Sequence, residues 1–410
     1  MPSCRDLAIR AVPALLLTLA APVRAADPLP EHPGDPVADL RAEIAALRAD
    51  YEQRLAALEA RLAALEGTVT AAAGTPPPAA PAPAPAAQTA NYFNPAISVI
   101  GNFLGVAGSN DVAPLPVADL REVELGFQAV VDPYARADVF VSLGEEGAAV
   151  EEGYVTFTAL PAQLLAKVGR LRAGFGKINT LHLHALPWPD EPLPIVNLLG
   201  GEEGWKGDGV SLARLLPIGD TFSELTLQAF RGDAEGLFAA PSREDLAYNA
   251  HYKLFRDLTD ASNLELGASW AEGPNGTTDS ARTRLAGLDL TYRWKPLRTA
   301  TYRGLIVRGE WLRSDREQPE GHATGSGWFV SADAQLARRW WLGGRLESSA
   351  RATDDRLRDD GGALALTFDP SEFLQLRSEF RQRRYAEDVT ANELLLQLQF
   401  IIGAHGAHPF

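Results

Sequence analysis

The sequence predicts an all-β protein, a 16-stranded antiparallel transmembrane β-barrel with an inward-folded third loop, preceded by a coiled-coil helix. Three observations lead to this fold class. Between residues 91 and 410, apolar and polar residues alternate in runs of about ten, the length that a tilted strand needs to cross a bilayer. The connections between these runs are alternately short and long. An apolar segment typical of a secretion signal opens the chain.

Composition excludes several other classes of protein. The chain has 410 residues with Lys+Arg 38, Asp+Glu 53, Cys 1 and a formal net charge of −15. This acidic balance lacks the basic footprint of a nucleic-acid-binding protein, and one cysteine cannot form a disulfide framework. The only apolar run that approaches 18 residues lies at the N-terminus, so we expect no ordinary membrane-spanning helix.

Residues 1–25 are predicted to be a signal peptide. Arg5 and Arg10 precede the apolar stretch Ala11–Ala21, and small residues follow where a signal peptidase cuts. A buried or anchoring helix is the alternative, for which the apolar stretch is short. A short N-terminal segment, residues 26–36, is expected to follow.

Residues 37–70 are predicted to form a coiled coil, because apolar residues recur at steps of three and four. Two consecutive steps of four around Tyr51 are typical of a stutter. We expect the stripe to be buried by self-association, as a trimer, and docking on the body of the protein is the alternative. Residues 71–90, rich in Pro and Ala, then form a semi-rigid linker. The stripe consists of Val37, Leu40, Ile44, Leu47, Tyr51, Leu55, Leu58, Leu62, Leu65 and Val69.

The barrel is predicted to occupy residues 91–410. Tight turns alternate with longer polar loops such as Arg231–Asp245 and Ser314–Gly325, as in single-chain outer-membrane barrels. A soluble sandwich or propeller is the competing fold, but it would not place polar faces on ten-residue strands. The 16 expected strands are 95–104, 121–130, 135–143, 150–159, 164–175, 208–216, 222–230, 246–256, 262–271, 282–295, 301–313, 326–338, 340–351, 361–369, 372–383 and 391–402.

The two faces of these strands have different chemistry. An Arg or Lys that faces the middle of the hydrocarbon costs about 2–4 kcal/mol, so the charged face of each strand should line a wet lumen. Aromatic residues near the strand ends should form interfacial girdles on the apolar face. We expect Trp270 and Trp311 at one rim, and Tyr252, Trp294 and Trp340 at the other.

The longest connection, Gly176–Gly207, is the third of the long loops and is too apolar for a solvated surface. It should therefore fold into the barrel and pack there. In this architecture residues 91–410 resemble general bacterial porins, in which sixteen strands form a trimer and the third loop bends inward to constrict the channel. The apolar residues of the loop are Leu181, Leu183, Leu186, Trp188, Ile195, Val196, Leu198 and Leu199.

Two segments support a second resemblance. FNPAISVIGNFLG at residues 93–105 and GAHGAHPF at residues 403–410 resemble a proteobacterial family of porin-like proteins often described as zinc-regulated TonB-dependent outer membrane receptors. The resemblance implies an outer-membrane location and a connection to zinc. TonB-dependent receptors have 22 strands around a plug domain, for which about 320 residues are too few. Phe410 also resembles the aromatic end signal that the barrel-assembly machinery recognises.

The candidate pore-lining residues are the charged residues at strand positions expected to face the lumen, together with acidic residues of the third loop. Arginines of the wall face acidic residues of the third loop, so we expect a transverse field at the constriction that favours small polar solutes. The alternative is that the arginines pair with acids on neighbouring strands and stiffen the wall. The candidates are Arg170, Arg172, Arg308, Glu310, Asp333, Arg345, Glu347, Arg377, Glu379, Arg381, Arg383 and Glu393 on strands, and Asp190, Glu191, Glu202 and Glu203 in the loop.

His182 and His184 are two residues apart, so extended backbone would direct both imidazoles to one side. Asp190 or Glu202 could complete a zinc or copper site, and ordinary loop packing is the alternative. His405 and His408 are weaker candidates. No other cofactor is expected, and the chain contains no catalytic or nucleotide-binding motif, so we do not expect an enzyme.

The sequence therefore predicts a passive outer-membrane porin for small hydrophilic solutes or ions, trimeric, in a Gram-negative bacterium. Its partners would be the lipid bilayer, two further copies of the chain and the barrel-assembly machinery. One alternative is a tether whose periplasmic coiled coil reaches peptidoglycan or a periplasmic protein. Another is a zinc-related uptake receptor coupled to an energising protein.

Overall fold

The computed structural model describes residues 95–145, 147–216 and 218–403. The predicted signal peptide, coiled coil, linker and terminal Phe410 lie outside these residues. Within them, no helix combines the length and the apolar character needed to cross a membrane.

The described residues form a closed antiparallel β-barrel of sixteen strands, which confirms the predicted count. Each strand pairs with its neighbours in the chain, and β1 closes the barrel on β16 through pairs such as Asn102 with Gln399. The strands are β1 Ala96–Ser109, β2 Ala118–Asp132, β3 Ala135–Gly144, β4 Gly147–Phe157, β5 Leu164–Arg172, β6 Lys206–Leu215, β7 Phe222–Arg231, β8 Leu246–Thr259, β9 Ser262–Pro274, β10 Arg282–Trp294, β11 Gly304–Gln318, β12 Gly321–Ala337, β13 Trp340–Ala350, β14 Arg358–Ser371, β15 Leu374–Arg384 and β16 Thr390–Gly403.

Alternating burial along the strands follows the alternating sequence. On β16, Leu394, Leu396 and Leu398 are exposed on the outer face, whereas Glu393 and Gln397 are buried on the inner face. Because successive side chains of a strand point to opposite sides, this alternation makes the outside of the barrel apolar and the inside polar.

Four of the five aromatic residues expected in the girdles are exposed, and Tyr252 is half-buried. Trp270, Trp311, Trp294 and Trp340 are all exposed. Trp340 stacks on Phe368 of the paired strand, with ring centroids 4.4 Å apart. Trp294 ends β10 and Trp340 begins β13, as is typical of aromatic residues at the interface of a membrane barrel, whereas Trp311 lies in the middle of β11.

The connections lie alternately at two ends of the barrel, here called the turn end and the loop end. The turn end carries the links β2–β3, β4–β5 and every second link thereafter, and the loop end carries the others. The prediction of a long loop at Ser314–Gly325 was wrong, because β11 and β12 stay paired until Gln318 meets Gly321. Polar residues beyond the bilayer need no apolar partner to extend a backbone ladder, so hydropathy does not show where a strand ends there.

The third loop comprises residues 173–205, between β5 and β6, and it folds into the barrel as predicted. It contains short 3-10 turns and one helical turn, Leu193–Leu198. Its apolar side chains form a buried cluster with wall residues and with Leu237 and Phe238 of the fourth loop. Each large apolar side chain buried in this way contributes about 1.5–3 kcal/mol. The loop members are Ala173, Phe175, Ile178, Leu181, Leu186, Trp188, Ile195, Leu198, Leu199 and Trp205.

Candidate functional site

The base of the third loop is closed by hydrogen bonds between its two ends. The Ala173 N–H donates to the Trp205 carbonyl at 2.9 Å. Asn179, which is fully buried, donates to both of these backbone segments and accepts from the Trp205 N–H at 2.7 Å. Gly204 has φ +63°, and a Cβ there would lie 2.3 Å from Asn179 Oδ1, so only glycine fits. The loop therefore leaves and rejoins the wall at one point.

Polar side chains of the wall also hold the loop backbone. Glu310 Oε1 accepts hydrogen bonds from the N–H groups of Lys177 and Ile178, at 2.8 and 2.7 Å. Ser269 and Gln228 accept from Gly176 and Gly174 in the same way. Because these backbone donors lie between the loop and the wall, each bond satisfies a group that would otherwise be costly to bury.

Asp190 lies at the centre of an arginine cluster on the opposite wall. Its Oδ1 is 2.7 Å from Arg345 Nη2, and its Oδ2 is 2.7 Å from Arg381 Nη1 and 2.8 Å from Arg383 Nη2. Burial alone would raise the pKa of Asp190, but the three guanidinium groups hold it well below its usual range. Asp190 is therefore ionised wherever the barrel is folded at neutral pH.

The same arginines also contact acids of the wall. Arg381 reaches Glu393 at 2.6 Å, and Arg383 and Arg345 reach Glu347 at 3.0 and 3.2 Å. The guanidinium of Arg345 also lies 4.8 Å from the ring centre of Trp188, which is a cation–π contact. The positive wall and the acidic loop thus meet in direct contact instead of facing each other across a wide gap.

Other predicted luminal residues occupy buried positions on the inner wall. Arg308 pairs with Asp333 at 2.6 Å, and Arg377 donates to Gln397 at 2.8 Å and to the Leu186 carbonyl at 3.4 Å. Glu379 is fully buried near these groups. The sequence allowed two roles for these arginines, a transverse field or pairing that stiffens the wall. The ion pair and hydrogen bonds found here are of the kind expected for the second role.

Glu191 follows Asp190 in the chain but has a different environment. Its backbone carbonyl accepts from Arg383 at 3.1 Å, whereas its carboxylate is buried and makes no comparable ion pair within the described residues. Burial raises the pKa of Glu191 to about 8, although Arg172 opposes the shift. Two adjacent acids of the loop are therefore shifted in opposite directions.

The two histidines precede Asp190 in the loop and lie against β2 and β4. His182 Nδ1 is 2.5 Å from Glu124 Oε2, and its Nε2 is 2.8 Å from Glu152 Oε2. His184 Nδ1 is 3.5 Å from Glu124 Oε2 and 3.6 Å from Glu122 Oε1. Burial alone would lower the pKa of His182, but hydrogen bonds to Glu124 and Glu152 raise it to about 9.

The two histidines lie close together, with partners that differ from the two acids suggested by the sequence. A 3-10 turn at Leu183–Ala185, instead of extended backbone, brings the two ring centres to 5.6 Å. Asp190 and Glu202 do not join them, because Asp190 is bound by the arginines and Glu202 pairs with Arg121. The acids that do join them come from strands.

Four predicted pore-lining residues lie elsewhere. Arg170 pairs with Asp208 on the outer face of the barrel. The neighbouring pair of the same two strands, Val168 and Val210, is exposed on that face. A charged residue is tolerated there because a strand end lies above the hydrocarbon, where charge costs little. Arg172 instead donates to the Glu203 carbonyl at 3.0 Å and supports the loop base. The carboxylates of Glu202 and Glu203 are exposed, at 63% and 64% of their side-chain surface, and pair with Arg121 and Lys206.

The wall residues Glu122, Glu124, Glu152, Ser269 and Gln228 contact the loop, although they were not among the predicted site residues. A signal for two of them was available, since Glu122 and Glu124 alternate with Val123 and Leu125 on a predicted strand. Nothing in the sequence pairs them with residues of a loop.

Two cavities lie on opposite sides of the third loop. The larger, about 1430 Å³, opens at the turn end, where Asp260, Arg338 and Glu372 line it. The smaller, about 210 Å³, lies toward the loop end beside Val112 and Arg351. The third loop contributes lining residues to both cavities, such as His184 to the larger and Asp190 to the smaller.

These features define a porin-type barrel with an internal loop, and solved structures share its fold. The chain is similar to the anion-selective porin from Comamonas acidovorans (TM-score 0.54, 9% identity, 75% of this chain and 99% of that chain). It is also similar to OprB of Pseudomonas putida (TM-score 0.52, 10% identity, 75% and 94%) and to the outer membrane channel DcaP of Acinetobacter baumannii (TM-score 0.50, 11% identity, 75% and 96%). No protein-family model matches the chain.

One sequence relative shows the family. The chain is 31% identical over 333 residues to a protein of Aquifex aeolicus (strain VF5) described only as an uncharacterized protein, a match covering 71% of this chain and 70% of the relative. The chain belongs to the same family as this Aquifex protein.

Proposed function

We propose that the protein is an outer-membrane porin through which small hydrophilic solutes or ions diffuse, with the third loop limiting the passage. The observation that carries this proposal is the closed sixteen-stranded barrel with an apolar outside, a charged inside and a loop folded across the lumen. An apolar belt suits lipid and a polar interior suits water. The solved barrels with this fold include proteins named as porins and channels.

The passage is controlled where the loop meets the arginine wall. Asp190 holds the loop against Arg345, Arg381 and Arg383, and this contact borders the smaller cavity. Charged groups at a narrow point favour polar over apolar solutes. Releasing Asp190 should therefore widen the passage.

Single-channel recording in planar bilayers tests the proposal. We expect wild type to conduct in discrete steps and Asp190→Asn to conduct with larger or noisier steps. Asp208→Asn, which removes a carboxylate from the outer face, is the matched control and should conduct like wild type. Bilayers that stay silent with correctly folded wild type and with Asp190→Asn would contradict the porin.

We further propose a trimer in the outer membrane, with the segment 37–70 as a periplasmic coiled coil. The heptad-like stripe of that segment supports self-association. The mass of the detergent-solubilised protein, with and without residues 26–90, tests this point. A monomer in both cases would contradict it.

A further inference from the structure

We propose that Glu122, Glu124, His182 and His184 form a binding site for a divalent transition metal that prefers nitrogen and oxygen ligands, such as Zn²⁺. The site joins β2 to the third loop, and it is independent of the proposed diffusion function. Imidazole and carboxylate together are the ligand set of many zinc sites.

The donor atoms converge on one point. One donor atom each from Glu124, His182 and His184 lies within 4.8 Å of the other two, and all three residues are buried. His184 Nδ1 is 3.5 Å from Glu124 Oε2 and 3.6 Å from Glu122 Oε1. Glu122 lies on the same strand as Glu124, within reach of His184, and is the candidate for a fourth ligand.

These spacings are close to those of tetrahedral coordination. With metal–ligand bonds of about 2.0–2.1 Å, tetrahedral donors lie about 3.3–3.4 Å apart. The two distances from His184 differ from this value by only a few tenths of an ångström. The 2.5 Å contact between His182 Nδ1 and Glu124 Oε2 is shorter and must open by about 1 Å.

Glu124 is able to make this adjustment. Its side chain is 1% exposed, and its second oxygen, Oε1, accepts no hydrogen bond among the described residues. A buried carboxylate oxygen without a partner is costly. A metal ion would satisfy Glu124 while the carboxylate rotates away from His182.

A second layer of contacts orients the ligands. Glu152 Oε2 lies 2.8 Å from His182 Nε2, and Glu152 Oε1 accepts from the Arg172 N–H at 2.7 Å. A carboxylate on the distal nitrogen fixes the orientation of a ligating imidazole and increases its basicity. Glu152 thus directs His182 Nδ1 toward Glu124 and is a positioning residue for the site.

Metal can reach the site from the turn end, because His184 also lines the larger cavity. A bound ion would connect the loop to β2 through both histidines. We expect metal to protect the backbone of residues 180–186 from hydrogen exchange.

Metal binding to the full mature chain in detergent tests the proposal. The protein used for this test has no affinity tag and carries the substitutions His405→Gln and His408→Gln, which remove two histidines outside the described residues. We expect one Zn²⁺ per chain by competition with a chromophoric chelator. His184→Gln and Glu124→Gln should each weaken binding at least tenfold, and His251→Gln, which changes a wall histidine that contacts Ser269, should not.

Cobalt provides a readout that does not depend on any variant of the site. Co²⁺ should give the intense visible absorption of a four-coordinate ion, and Zn²⁺ should bleach it. The proposal is overturned if the spectrum is that of the hydrated six-coordinate ion. It is also overturned if folded His184→Gln binds Zn²⁺ as tightly as its parent. Conductance is measured separately, so the porin and the metal site can fail independently.

Discussion

Two neighbouring segments of the third loop are anchored with opposite polarity. In one, the carboxylate of Asp190 lies among wall arginines; in the other, the imidazoles of His182 and His184 lie among wall carboxylates. Because the arginines attract a carboxylate and the strand acids attract imidazoles, the two segments cannot exchange places without bringing like charges together. The charge pattern therefore specifies the orientation of the loop inside the barrel.

The two anchors also differ in how their charge is balanced. The arginines have wall acids of their own in Glu347 and Glu393, so the Asp190 anchor is self-contained. The histidine anchor has three carboxylates around two imidazoles, so a proton or a metal ion would offset part of their negative charge. The first should behave as a permanent anchor and the second as a conditional one.

The largest expected effect is loss of the permanent anchor. Asp190→Asn leaves three buried guanidinium groups short of one counter-charge, and breaking such a pair costs about 3–5 kcal/mol. Hydrogen exchange of residues 173–205 measures the free energy of loop opening. If exchange there matches wild type, the arginine cluster does not anchor the loop.

The pH dependence of loop opening should come next in size. The pKa of Asp190 is lowered in the folded barrel, so its contribution is present above about pH 4 and is lost as pH falls below it. The pKa of Glu191 is raised to about 8 from 4.5, so the folded loop keeps a proton that the open loop releases. Its contribution is present below about pH 4.5 and is lost as pH rises toward 8.

Variants separate these two arms. Glu191→Gln should abolish the loss of hydrogen-exchange protection that wild type shows as pH rises toward 8. It should leave the loss of protection below about pH 4 unchanged. A profile of Glu191→Gln identical to wild type between pH 5 and 9 would show that burial of Glu191 does not control it.

Loss of the conditional anchor should have a smaller effect. His182→Gln removes a group bonded to both Glu124 and Glu152, and a buried acceptor left without its donor costs about 1–3 kcal/mol. The exchange of residues 180–186 with a chelator present measures this cost without metal. His322→Gln, which changes an exposed histidine paired with Asp315, is the control and should change nothing there. Equal protection in the two variants would contradict an anchor at His182.

The smallest expected effect belongs to the outer face. Asp208→Asn removes the partner of Arg170, and both side chains are substantially exposed. Solvent-exposed pairs contribute at most about 1 kcal/mol. Thermal unfolding in detergent should shift little. A shift as large as that of Asp190→Asn would mean that the pair is buried against another molecule, such as a second copy of the chain.

Much of the fold could be predicted because it depends on local alternation. Strands such as β16 show apolar and polar residues in strict succession, and the apolar third loop was correctly expected inside the barrel. Strand ends beyond the bilayer were harder, as at Gln318 and Gly321, because no lipid face constrains residues there.

For the candidate site, the sequence could predict which residues take part but not which of them contact each other. The sequence identified Asp190, Arg345 and Arg381 as charged and inward-facing, and it identified the histidine pair. It misplaced Arg170, because β5 carries charged residues on both of its faces and parity is ambiguous there.

The sequence by itself determined the barrel, its strand count and the inward packing of the third loop, because hydropathy with a period of two acts along one strand at a time. Only the tertiary structure decided which loop residue meets which strand. Asp190 is 191 residues from Arg381, and His182 is 58 residues from Glu124. Such pairings depend on barrel closure and on the path of the loop, and no local pattern records them.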